Sequence, residues 1–108
     1  MTKGMLTPDA IRAAVADGSI DTVLVVFPDL QGRLMGKRVV GEYFVEEVLP
    51  PGGALEACNY LLALDVDMTP LPGYEYANWE QGYGDFRMVP DLSTLRRIPW
   101  IDRTALIM

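Results

Sequence analysis

The stretch that decides the fold is residues 22–40, TVLVVFPDLQGRLMGKRVV. Thr22–Phe27 is β-branched or apolar on both faces, which is typical of a strand buried at the centre of a sheet. Pro28 fixes φ and Gly32 permits a positive φ, which predicts a turn after that strand. Arg33–Val40 then predicts a returning strand. Together these residues predict a β-hairpin with a buried first strand.

Two helices are predicted on either side of the hairpin. Leu6–Gly18 has Thr7 as a possible N-cap, Pro8 at the first helical position and Gly18 to end it. Glu42–Leu49 changes to a helical period, with one apolar face and three glutamates toward water. That face consists of Phe44, Val45, Val48 and Leu49.

The rest of the chain predicts three further strands. They are Asn59–Leu64, Asp85–Val89 and Thr104–Met108, with a helical or 3₁₀ turn at Ser93–Arg97. Asp85–Val89 alternates, with Phe86 and Met88 on one face. Gly36, inside the returning strand, predicts a bulge or a close backbone approach.

This order of elements predicts an α+β fold, a β-grasp (ubiquitin-like) mixed sheet packed on one helix with an extra N-terminal helix. We expect residues 1–20 to form the appended helix and residues 21–108 the β-grasp domain. Residues 105–108 are all apolar, so we also expect the chain to continue in a longer protein.

The composition describes one small globular domain of 108 residues, half of them hydrophobic. Nine bases against fifteen acids give a net charge of −6, which argues against a nucleic-acid partner. Between Glu42 and Asp91 there are ten acids and one base. Such a segment suits a cation, an amine or a basic partner, although a solvated acidic surface is the plainer alternative.

The inventory of reactive side chains is short. There is one cysteine, Cys58, and no histidine, which excludes a Ser-His or Cys-His pair within this chain. A single thiol forms no internal disulfide, so a cytoplasmic location is expected. The longest apolar run, Val23–Phe27, is five residues and predicts no membrane span.

Asp65 and Asp67 are the first candidate site. Side chains alternate along an extended segment, so the two carboxylates would share one side. The pair could bind a cation or an amine, or one acid could act as a base with its pKa raised by the other. Two solvated acids at a strand end is the structural alternative.

An aromatic cluster follows, where Trp79 and three tyrosines stand close to Glu75, Glu80 and Asp85. Aromatic rings combined with carboxylates suit a cationic or amine ligand. A loop that packs its own rings, or buries them in a subunit interface, is the alternative.

Four segments resemble the N-terminal domain of glutamine synthetases: DLQGRLMGKR at 29–38, CNYLLALD at 58–65, GYGDF at 82–86 and VPDLSTLRRIPW at 89–100. The closer likeness is to the branch that ligates glutamate to amines, the gamma-glutamylpolyamine or gamma-glutamylethanolamide synthetases. The resemblance covers Asp21–Met108, and its most specific part is the last segment.

The resemblance implies a β-grasp domain that precedes a larger catalytic domain. That domain would carry ATP, Mg²⁺ or Mn²⁺ and most glutamate contacts, and subunits would assemble as a homo-oligomeric ring with shared active sites. No cofactor is expected in these 108 residues themselves. Arg33, Lys37 and the aromatic loop are expected against a neighbouring catalytic domain.

The resemblance also implies residue roles. Asp65 matches the acid of the family's Asp-Gly-Ser-Ser motif, which binds and deprotonates ammonium. Here Val66-Asp67-Met68 replaces Gly-Ser-Ser, which fits a larger amine. Trp79 matches a loop tryptophan near the amine entrance, with Asp85 at the end of the loop, so Trp79, Asp67 and Asp85 are the expected substrate-binding residues.

The leading functional hypothesis is thus the N-terminal domain of an ATP-dependent glutamate–ammonia or glutamate–amine ligase of nitrogen or polyamine metabolism, inactive as an isolated fragment. The alternative is a stand-alone acidic β-grasp module that binds a basic protein partner.

Overall fold

The computed structural model describes residues 4–58 and 85–108. The helices are α1 (Pro8–Ala16) and α2 (Gly41–Tyr43), the latter continued by a π turn at Phe44–Val48. A 3₁₀ turn lies at Leu92–Thr94. The strands are β1 (Thr22–Pro28), β2 (Leu34–Val40), β3 (Leu55–Cys58), β4 (Asp85–Met88), β5 (Arg96–Arg97) and β6 (Thr104–Ile107).

Four strands form a mixed sheet in the order β2-β1-β6-β5. The hairpin predicted from the sequence is present, with Thr22 opposite Val40 in antiparallel register. On the other side β1 pairs in parallel with β6, which places Thr22 beside Thr104. A mixed sheet with two helices confirms the α+β class and is consistent with the expected β-grasp arrangement and its N-terminal helix.

The core lies between one face of this sheet and the helices. Side chains alternate along β1, so Val23 and Val25 are buried on the helix side, together with Ala105 and Ile107 of β6. Ile11 and Ala14 from α1 belong to the same cluster, as do Phe44 and Val48 from the π turn. Burial of these apolar side chains is what holds the helices on the sheet.

The first helix has the predicted end signals. The Thr7 hydroxyl accepts a hydrogen bond from the Ala10 N–H at 3.1 Å, Pro8 begins the helix and Asp9 lies in its first turn. Gly18 has a φ of +81°, which ends the helix in a conformation that favours glycine.

The second helix differs from the expected regular helix at Glu42–Leu49. Only Gly41–Tyr43 is α-helical, and Phe44–Val48 forms a π turn in which the Leu49 N–H donates to the Phe44 carbonyl at 2.8 Å. The wider turn brings Phe44 and Leu49 to the same side, and both are buried. The predicted buried face is therefore present, with a different backbone geometry.

Two short strands were not predicted. The strand expected at Asn59–Leu64 lies outside the described residues, while the structure forms β3 earlier, at Leu55–Cys58. β5 at Arg96–Arg97 falls within the stretch expected to be a turn, whose helical part ends at Thr94. β3 and β5 are each defined by their pairing, with β4 and with β6 respectively.

The turn of the hairpin is closed by an ion pair between the buried Asp29 carboxylate and the partly exposed Arg33 side chain. The Asp29 carboxylate, only 1% exposed, accepts hydrogen bonds from the Gln31 and Arg33 backbone N–H groups and from Arg33 Nε at 2.8 Å. Burial raises the pKa of Asp29, but these hydrogen bonds and the Arg33 charge outweigh it and hold the pKa below its ordinary value.

We predict that the free energy of unfolding depends less on pH in the acid range in Asp29→Asn than in the wild type. A carboxyl with a lowered pKa in the folded state stabilises the fold above its unfolded pKa of about 4, and this contribution is lost as pH falls through the folded pKa. The variant should be less stable at pH 7 and lose less stability than the wild type below about pH 4. Urea unfolding across that range measures both.

Asp9→Asn is the matched control, because Asp9 is 97% exposed and pairs with Arg12 on the surface. Equal acid dependence of the Asp29→Asn protein and the wild type would contradict the prediction.

In the part of the chain that the structure describes, no helix is both long enough and apolar enough to cross a membrane.

Candidate functional site

The four residues predicted for the site fall on or between two paired strands. β3 ends at Cys58, β4 begins at Asp85, and these two residues are backbone partners in an antiparallel ladder. Asp65, Asp67 and Trp79 lie between them, outside the described residues, so their predicted roles stay predictions. For Asp85 the structure gives the position in the backbone, the first residue of β4.

The register of the β3–β4 ladder places Cys58 and Asp85 side by side at one end. Its register runs from Leu55 opposite Met88 to Cys58 opposite Asp85. Residues 59–84 therefore leave from and return to the same end of the ladder. We call this end, defined by Cys58 and Asp85, the open end.

One face of the ladder is apolar and packs on the core. Alternation places Leu55 and Ala57 of β3 on the same face as Phe86 and Met88 of β4. Leu55, Ala57 and Met88 are buried, and Phe86 packs against the core. This face confirms the predicted alternation, in which Phe86 and Met88 share one side of their strand.

Phe86 also reaches the main sheet through an aromatic contact. Its ring meets that of Phe27 on β1 edge to face, with centroids 5.4 Å apart and planes at 86°. No local pattern predicts this pair, because the two residues are far apart in the chain and belong to different sheets. The alternation in Asp85–Val89 predicts that Phe86 shares a face with Met88, but not that its ring meets Phe27.

The opposite face of the ladder is charged. Glu56 and Arg87 are cross-strand partners, an arrangement that favours opposite charges. The Arg87 guanidinium also donates a hydrogen bond to the Gly52 carbonyl, in the turn that precedes β3. Arg87 therefore ties the closed end of the ladder, near Leu55 and Met88, to the chain that enters it.

The basic residues of the hairpin, Arg33, Lys37 and Arg38, differ in their exposure. Arg33 directs its Nε to Asp29 inside the hairpin turn. Lys37 and Arg38 are exposed on β2. At least part of the predicted basic group therefore has a structural role in closing the turn.

The most specific of the family-like segments, residues 89–100, also has a structural role. The Asp91 carboxylate accepts hydrogen bonds from the backbone N–H and the hydroxyl of Ser93, and these lower the pKa of Asp91. The Thr94 hydroxyl accepts from the Met108 N–H at 2.8 Å. The segment thus joins the 3₁₀ turn to the end of β6.

Within residues 4–58 and 85–108, no three histidine, cysteine, aspartate or glutamate side chains come together in a way that could hold a metal ion.

Two curated proteins are similar to most of the chain. No protein-family model matches the chain. Over 98 residues, 91% of the chain, it is 52% identical to a gamma-glutamylethanolamide synthetase from Streptomyces coelicolor. Over the same length it is 34% identical to a glutamate–isopropylamine ligase from a Pseudomonas species. The resemblance to a glutamine-synthetase-like N-terminal domain is confirmed.

The chain spans about a fifth of the length of these curated relatives, since each match covers 21% of the relative. The similarity to these relatives is in keeping with the four segments, at 29–38, 58–65, 82–86 and 89–100, that resemble glutamine synthetases. The activity of a whole protein that contains this region is a separate matter.

Proposed function

We propose that this chain is the N-terminal domain of an ATP-dependent ligase that joins glutamate to an amine. The observation that carries the proposal is the 52% identity over 91% of the chain to an enzyme named for such a product. The second relative is also named for an amine substrate. The replacement of Gly-Ser-Ser by Val66-Asp67-Met68 after Asp65 supports an acceptor larger than ammonium, such as a small primary amine.

In this proposal the chemistry is divided between two domains. A catalytic domain binds ATP with Mg²⁺ or Mn²⁺ and converts the glutamate side-chain carboxylate to an acyl phosphate. The described residues of this chain offer no donor set for those ions, so the proposal assigns them no metal. The N-terminal domain contributes the amine-binding side by covering the catalytic domain of a neighbouring subunit in a homo-oligomeric ring.

Asp65 has the central role on this chain. Its carboxylate attracts the ammonium form of the amine and accepts one proton, which frees the nitrogen lone pair. The nitrogen then attacks the acyl carbon, a C–N bond forms, and the C–O bond to phosphate breaks. Trp79 would face the alkyl part of the amine, and Asp67 and Asp85 would add negative potential.

The ladder geometry supports this assignment in one respect. The predicted site residues Asp65, Asp67 and Trp79 belong to a segment whose two ends are held side by side by the pairing of Cys58 with Asp85.

The direct test is an assay of the complete ligase with glutamate, Mg-ATP and a panel of acceptors: ammonium, ethanolamine, isopropylamine and a polyamine. We expect phosphate release and an amide product with at least one of the organic amines. Amide formation from ammonium alone would refute the amine acceptor, and no product with any acceptor would refute the ligase.

We further predict that the 108-residue chain alone makes no glutamyl amide and does not bind Mg-ATP. The reason is that its sequence contains no glycine-rich phosphate-binding motif and its proposed partner domain supplies the nucleotide site. Isothermal titration of the chain with Mg-ATP checks this, and micromolar binding would contradict it.

A further inference from the structure

The main sheet has a second face, which points away from the helices. Val23 and Val25 of β1 belong to the core, so alternation along the strand places Leu24 and Val26 on the opposite face. The register adds their neighbours on β2, since Arg38 lies opposite Leu24. We call this surface the outer face, and its members on the hairpin include Leu24, Val26, Leu34, Arg38 and Val40.

The outer face is apolar and exposed along the edge strand β2. Val40 is 66% exposed and Leu34 is 53% exposed. The half-buried side chains of Leu24 and Val26 connect them across β1. A continuous exposed apolar surface of this kind is typical of an interaction site, whereas apolar residues scattered singly are not.

The charge of the outer face is opposite in sign to that of the whole chain. Arg96 of β5 lies opposite Leu106, which points away from the core residues Ala105 and Ile107, so Arg96 and Arg38 are both on this face. Along β1, β2, β5 and β6 the outer face carries no acid, although the chain has a net charge of −6. Arg38 forms no ion pair within residues 4–58 and 85–108.

The helix side of the molecule carries the complementary charge. Phe44 and Val48 point into the core, and the side chains that remain exposed on α2 and the π turn include three glutamates and a tyrosine. We call this surface the helix face, defined by Glu42, Tyr43, Glu46 and Glu47. Tyr43 is 45% exposed, and the three glutamates form no ion pair with any described residue.

We propose that the outer face of one copy of this chain binds the helix face of a second copy. The two faces lie on opposite sides of the sheet, so each copy can use both at once in a head-to-tail contact. Apolar contact of Leu24 and Val40 with Tyr43 supplies most of the affinity, because exposed ion pairs contribute little free energy. Arg38 against the glutamates selects the orientation, since pairing two outer faces would bring like charges together.

Sedimentation equilibrium of the 108-residue chain tests the contact without reference to the ligase. For a small interface of this kind we expect a Kd on the order of 0.1–1 mM. A head-to-tail contact does not stop at two copies, so the average mass should rise above that of a dimer at about 1 mM chain. A chain that stays monomeric at that concentration, or whose mass levels off at a dimer, would overturn the proposal.

Arg38→Glu should raise the Kd at least about tenfold, because it places a negative charge against the glutamates of the helix face. Lys37→Glu is the matched control. It makes the same change in net charge at the next residue of β2, but Lys37 lies opposite Val25 and therefore on the other face of the sheet. Equal weakening by the two variants would mean that only net charge matters, and the proposal would be wrong.

A charge exchange gives the decisive result. The double variant Glu46→Lys with Glu47→Lys should also associate at least about tenfold more weakly than the wild type. When it is mixed in equal amounts with Arg38→Glu, each outer face again finds a helix face of opposite charge, so association should return. A mixture that remains as weakly associated as its two components would refute the pairing of these two faces.

Discussion

Asp65→Asn in the complete ligase should lower amide synthesis by roughly 10²–10⁴-fold, the range expected for loss of a positioned acid–base group. The substitution keeps the shape of the side chain and removes the negative charge that attracts the amine cation and accepts its proton. Glutamate activation, assigned to the other domain, should survive, so ADP release uncoupled from amide formation should persist. Steady-state amide formation at saturating glutamate, ATP and amine measures the loss.

Asp67→Asn is the control within the same segment, and we expect a smaller effect because the family likeness places only Asp65 at the amine. Near wild-type turnover in Asp65→Asn combined with a large loss in Asp67→Asn would shift the assignment by two residues. Wild-type turnover in both variants would make the acidic pair structural.

Gly36→Ala should strongly destabilise the hairpin. Gly36 lies in β2 with a φ of +153°, and a Cβ added there would come within 2.0 Å of the Val25 carbonyl oxygen. That oxygen belongs to the backbone of the central strand and has little freedom to move. Backbone strain and overpacking together predict a loss of about 2–4 kcal/mol in the free energy of unfolding. Chemical denaturation of the chain measures it.

Gly32→Ala separates strain from steric conflict. Gly32 also has a positive φ, of +78°, but a Cβ there would meet nothing within 4 Å. We expect a loss of about 1 kcal/mol, which reflects the left-handed conformation alone. Equal losses in the two variants would show that the close approach of Gly36 to Val25 has no energetic consequence.

Local signals explain why several elements could be predicted. The caps of α1 at Thr7 and Gly18 act within a few residues of where they stand. The hairpin follows from the β-branched run of β1 and the turn chemistry of Pro28 and Gly32, and its observed register pairs Thr22 with Val40. Periodicity likewise predicted Phe44 and Val48 as buried, although the backbone there is a π turn.

For the candidate site, the residue types and the family likeness come from the sequence. The structure adds the pair of strands between which the predicted site residues lie in the chain. Asp65, Asp67 and Trp79 are predictions from sequence alone. The pairing of Cys58 with Asp85, which brings the ends of that segment together, is a finding of the structure. β3 itself was missed, and its pairing with β4 is what defines it.

The sequence by itself determined the hairpin, the first helix, the shared face of Phe86 and Met88 on β4 and the likeness to glutamine-synthetase-like domains, because each depends on neighbouring residues or on motifs. Tertiary structure alone decided the parallel pairing of β1 with β6, the nearly complete burial of the Asp29 carboxylate and the contact of Phe27 with Phe86. Pairing and ring contact join residues distant in the chain, and the burial of Asp29 depends on how the folded chain surrounds it. Periodicity specifies which way a side chain points, but only the packed fold specifies what it meets.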